Sequence, residues 1–128
     1  MIVVGIGFRA AASAQSLQDA IAIALAQSPG QRIDALVTAA AKSREPVFQA
    51  TAQMFKVPGL GISQTDLAQM ITPTQSARIQ DKFGTGSLAE AAALAAAGPT
   101  ATLIVERVVS SDGMATAAIA DSQRKDTA

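Results

Sequence analysis

The run Ile2-Val3-Val4-Gly5-Ile6-Gly7-Phe8 constrains the fold more than any other stretch of the chain. It is apolar, rich in β-branched residues and without clean alternation, which suits a strand covered on both faces and central in its sheet. Ser13 is placed to cap a helix that carries Leu17, Ala20, Ile21, Ala24 and Leu25 on one face and Gln15, Gln18 and Asp19 on another, until Ser28-Pro29-Gly30 stops it. A second apolar run spans Ile33 to Val37. Lys42-Ser43-Arg44-Glu45-Pro46 then opens a helix, with Pro46 pre-set for its first turn and Val47, Ala50, Met54 and Phe55 as its inward face.

Val57 to Ile62 reads as a short third strand, and Ser63 with Asp66 three residues on resembles the cap of a short helix ending near Met70. A further helical turn or two is expected over 75–82. The alanine content of Leu88 to Ala97 favours helix, and Gly98-Pro99 ends it. Thr102 to Val109 and Met114 to Ala120 read as strands joined at Ser110-Ser111-Asp112-Gly113. The class is α/β: three layers, α/β/α, around a largely parallel sheet of about five strands closed by a C-terminal antiparallel hairpin. One domain is expected over 1–120, followed by a polar tail over 121–128 that frays.

Composition narrows the function. With 128 residues, 49% of them hydrophobic, the chain can build a core without metal or disulfide support. Ten Lys plus Arg balance ten Asp plus Glu, which removes the general attraction that nucleic-acid binding rests on. The absence of Cys and His excludes a disulfide, a thiolate nucleophile, a Cys/His zinc site and an imidazole base. No metal and no cofactor are expected. Met1 to Phe8 is too short and lacks the basic flank of a leader, and no apolar stretch reaches the roughly 18 to 20 residues of a membrane span. A cytoplasmic location is expected.

In sheets of this class ligands gather beyond the carboxyl ends of the strands, which singles out three loops: 7–13, 39–46 and 84–87. Gly5 and Gly7 allow either backbone approach to an anion or tight packing of the strand end. The dinucleotide fingerprint fails, because Ala10 stands where its third glycine belongs and no acidic residue closes the second strand near Val37. Gly84, Thr85, Gly86 and Ser87 precede a helix, so they offer donors to an anion or simply cap that helix; a nucleotide P-loop is excluded because Lys does not follow the second glycine. Arg9, Lys42 and Arg44 add positive charge to the other two loops. Catalytic candidates reduce to Glu45 as base or first-turn acid, Lys42 as amine, and the hydroxyls of Ser13, Thr85 and Ser87, none with a visible activating partner.

Gly5-Ile6-Gly7-Phe8-Arg9 with Ser13, Lys42-Ser43-Arg44-Glu45-Pro46, and Gly84-Thr85-Gly86-Ser87-Leu88-Ala89-Glu90-Ala91 resemble, in order, three elements of the CobE/CbiG C-terminal family of cobalamin biosynthesis. The resemblance covers about residues 2 to 120, and the chain's length suits a free-standing member rather than a fused one. It implies a part in building the corrin ring by the aerobic route, without assigning a reaction. The family's cysteine is Phe8 here, its second arginine is Ala10, and its glycine-threonine is Ala11-Ala12, so a thiol or a two-arginine clamp in the first loop is lost.

Corrin precursors carry many carboxylates around an apolar macrocycle, and their site needs cations and N–H donors around an apolar floor. Arg9, Lys42 and Arg44 are the expected charge partners, with backbone donors from the Gly7 loop and from Gly84 to Ser87. The expected act is to bind, hold or hand on a tetrapyrrole intermediate. The alternatives are a hydrolase or isomerase of a ring substituent using Glu45 and Lys42, and a docking partner of another pathway enzyme.

Overall fold

In the computed structural model, which describes residues 1–77, 79 and 86–122, the opening apolar run forms β1 (Ile2–Phe8), buried along its whole length. It is the middle strand of five. The chain continues through α1 (Ala14–Ala26), β2 (Ala35–Ala39), α2 (Pro46–Met54), β3 (Gly59–Ile62), α3 (Gln64–Ala68), α4 (Leu88–Ala97), β4 (Thr102–Val109) and β5 (Ala115–Asp121). The sheet order is β3-β2-β1-β5-β4. β1, β2 and β3 are mutually parallel, β5 runs antiparallel to β1, and β4 runs antiparallel to β5, so β5 alone is reversed.

Period-two alternation along β1 divides the core into two layers. Ile2, Val4, Ile6 and Phe8 face Leu17, Ala20, Ile21 and Ala24 of α1 and Phe48 and Ala52 of α2. Val3, with Val37 and Ala39 of β2, belongs to the opposite layer, with Leu67 of α3 and the alanines of α4. Seven of the ten residues of α4 are buried, which is possible only because the helix is covered on its outer side as well as by the sheet.

α1 starts where Ser13 accepts from the Ser16 N–H at 3.2 Å while Ser16 Oγ accepts from the Ser13 N–H at 3.2 Å. One boundary and one buried face illustrate where the structure differs from the sequence expectation. β2 begins at Ala35 and continues through Thr38, whose hydroxyl donates to the Ile6 carbonyl at 2.7 Å and so is buried without an unmet polar group. On α2 the buried residues are Phe48, Thr51 and Ala52, whereas Ala50 and Met54 are exposed and Val47 and Phe55 half-buried. The inward face is rotated from the expected one because Phe48 stacks on Phe8, ring centroids 6.3 Å apart, and Thr51 satisfies its hydroxyl on the Val47 carbonyl at 2.8 Å. The expected turns over 75–82 fall largely outside the described residues, as do 123–128 of the tail.

Candidate functional site

β1 feeds β2 and β3 on one side, and the chain later returns to lay β5 and β4 on the other, so the strand order reverses beside β1. Open α/β sheets bind ligands at such reversals, beyond the strand ends. A cavity of about 400 Å³ lies there, lined by Gly7 to Ala10 around the end of β1, Leu88 at the start of α4, Arg107 and Val109 of β4, and Gly113 to Thr116 around the start of β5, with Ser76 and Ile79 also lining it. Phe8, Ile79, Leu88, Val109 and Met114 give the lining its larger apolar side chains. Among the described lining residues the only ionisable side chains are Arg9 and Arg107. Both are guanidiniums, permanently charged and suited to bidentate contact with carboxylates.

The sequence candidates separate in space. Gly7 and Arg9 line the cavity, and the Arg9 N–H is held by the Met114 carbonyl at 3.0 Å. Gly5 lies within the sheet, pressed against the backbone of α4 at Ala89 and Ala93. Ser13 caps α1, Ser87 is buried and accepts from the Glu90 N–H at 3.3 Å as the cap of α4, and Gly86 packs beside Gln75. Lys42 does not line the cavity: its Nζ donates to the Phe8 carbonyl at 2.5 Å and lies 4.4 Å from the centre of the Phe8 ring. Arg44 is exposed, and Glu45 occupies the N-cap of α2 without a side-chain capping bond. Gly84 and Thr85 lie outside the described residues. The first loop and the start of α4 therefore meet at the cavity, while no residue of the loop 39–46 lines it and Lys42 bonds to Phe8, which does.

Two residues at the site escape sequence reasoning. Arg107 lies within the run Thr102 to Val109 that reads as a strand, where Glu106-Arg107 is a charged pair interrupting the apolar residues, the one available signal. It supplies the cavity's second guanidinium from β4, while position 10 in the first loop is alanine. Glu90 is the single charged residue of α4, and it is fully buried. A lone acid in an alanine helix of this kind signals a demand for donors.

Asp112, at the tip of the hairpin, ties the cavity wall to α1. Its carboxylate accepts from the Ser110 hydroxyl at 2.6 Å, the Ser16 hydroxyl at 2.6 Å and the Met114 N–H at 3.0 Å. Those bonds, Ser110 first, then Ser16 and Met114, hold its pKa below the ordinary carboxylate value. Asp19 of α1 adds a bond from the Ser111 N–H at 2.6 Å.

Residues 2–120 match the family model described as cobalamin synthesis G C-terminus. The chain belongs to this family. The resemblance read from the three sequence elements therefore holds. The structure is similar to that of CobE, a protein from the cobalamin (vitamin B12) biosynthetic pathway, with a TM-score of 0.84 at 29% identity, over 94% of this chain and 89% of that one. It is also similar to cobalamin biosynthesis protein chiG from Agrobacterium tumefaciens str. C58, with a TM-score of 0.73 at 29% identity, over 97% of this chain and 100% of that one. A cobalamin biosynthesis protein G homolog from Sulfolobus solfataricus shares the fold, with a TM-score of 0.69 at 23% identity, over 93% of this chain and 36% of that one. No curated protein matches the chain. No helix among the described residues is long and apolar enough to cross a membrane.

Proposed function

We propose that the protein binds a carboxylate-rich corrin-ring intermediate, a precorrin or hydrogenobyrinic acid-like tetrapyrrole, and holds it or hands it on in the cytoplasm to the next enzyme of the aerobic cobalamin route. The observation that carries this reading is a cavity at the reversal of strand order whose lining includes two guanidiniums, Arg9 and Arg107, among apolar side chains. Peripheral acetates and propionates meet the guanidiniums, while one edge of the macrocycle covers Phe8, Leu88 and Met114. Gly7 leaves the strand end bare and brings the first turn of α4 close, where helix N–H groups favour an anion.

Binding is favoured over turnover by the same lining. A guanidinium neither gives up nor takes a proton near neutral pH, and Glu45 and Lys42, the residues a hydrolase or isomerase would use, do not line the cavity. The test is a titration of purified protein with hydrogenobyrinic acid and with precorrin intermediates, followed by absorbance and by co-elution on gel filtration. A saturable spectral shift and co-elution are expected with at least one of them. Neither signal with any of them overturns the reading.

A further inference from the structure

A carboxylate taken fully out of water is costly unless hydrogen-bond donors replace the water it loses. Glu90 meets that demand with three donors: the Thr74 N–H to Oε1 at 2.9 Å, the Thr74 hydroxyl to Oε2 at 2.8 Å, and the Arg107 N–H to Oε2 at 2.8 Å. No cation among the described residues forms an ion pair with it. Of its partners, Arg107 lines the cavity and Thr74 lies two residues before Ser76, which also lines it. Thr74 begins the segment that carries Ser76, itself fixed to α4's approach by the Ser76 N–H on the Gly86 carbonyl at 2.8 Å. Arg107 lies where β4 slips against β5 between Val105 and Val108, so its N–H is given to Glu90 at an irregularity in the ladder.

We propose that Glu90 is the positioning residue of the cavity: it touches no ligand, but its buried carboxylate sets where the Arg107 guanidinium stands relative to α4 and the 74–76 segment. The claim rests on the binding reading above for its ligand. Geometry makes the dependence steep, because both oxygens are needed. A Gln at this position has nearly the same shape, yet its amide NH2 must face the N–H of either Thr74 or Arg107, which drives one wall away. Guanidinium contacts with a carboxylate depend on alignment, so displacement of the β4 backbone is felt by the ligand.

The experiment is a double-mutant cycle of Glu90→Gln with Arg107→Gln, read as affinity for hydrogenobyrinic acid. Circular dichroism and a cooperative unfolding transition verify the fold of each variant. Glu90→Gln is expected to weaken binding about tenfold in the wild-type background and by less than about twofold when Arg107 is already Gln. Equal losses in both backgrounds indicate general loosening and overturn the proposal, as does no loss in either. If Glu90→Gln does not fold, Thr74→Val removes one donor instead, with an expected loss of about threefold that again vanishes in the Arg107→Gln background. Amide hydrogen exchange decides the strut without any ligand. Faster exchange of the Thr74 or the Arg107 amide in Glu90→Gln supports it, and unchanged exchange of both overturns it. Failure of the wild-type protein to bind any corrin intermediate would remove the binding reading and leave the exchange result to stand by itself.

Discussion

Gly5 of β1 lies against Ala89 of α4 so closely that a β-carbon on Gly5 would overlap the Ala89 carbonyl and stand 2.8 Å from the Ala93 backbone nitrogen. Helix and strand touch backbone to backbone. Neither neighbour is a flexible side chain, so neither can yield without moving an element. Gly5→Ala is therefore expected to destabilise the protein by about 3 kcal/mol or more, measured by urea denaturation. Gly113→Ala is the control: that glycine has φ 73° with open space around it, and its substitution is expected to cost only about 1–2 kcal/mol of backbone strain.

Arg9→Gln and Arg107→Gln are each expected to weaken binding of hydrogenobyrinic acid about tenfold, with a shallower dependence on salt, in spectrophotometric titrations. Arg44→Gln is expected to change affinity by less than about twofold, because Arg44 is exposed outside the cavity.

Lys42→Met separates stability from binding. The variant loses the bond to the Phe8 carbonyl and the contact with the Phe8 ring, which together correspond to about 1–2 kcal/mol. A lower melting temperature is expected, with ligand affinity changed less than in Arg9→Gln.

Asp112 predicts an acid-sensitive hairpin. Its pKa is lower in the folded protein than the ordinary Asp value of about 3.9, so its ionised form favours folding. That contribution is complete above about pH 5 and is lost as pH falls through the folded value. Asp112→Asn is expected to lower the melting temperature at pH 6 and to narrow the gap to wild type progressively below about pH 4. A gap that stays constant from pH 6 to pH 3 would contradict the assignment.

Strand and helix order was legible because the strong signals are local: the unbroken apolar run of β1, the Ser13 cap, Pro46 at the start of α2, and Gly113 in the hairpin. Errors arose where a polar residue is buried by a bond to something distant or to its own helix. Thr38 falls outside the apolar run that ends at Val37 until its hydroxyl is seen on Ile6, and Thr51 is left off the inward face until its hydroxyl is seen on Val47. The site was half legible for the same reason. Gly7 and Arg9 follow directly from the end of β1, whereas Arg107 and Glu90 acquire meaning only when β4, α4 and the segment at Thr74 are brought together. Periodicity carries no information about that meeting.

β1 and β5 pair residue for residue from Ile2 with Asp121 to Phe8 with Ala115, and Thr116 reaches the Gly7 carbonyl across a separation of 109 positions. During synthesis the first strand must therefore wait on the ribosome with one long edge unmatched until the final strand emerges. The hollow beside Gly7 has no far wall before that moment. A nascent chain lacks that wall, so any binding in the hollow is confined to finished molecules.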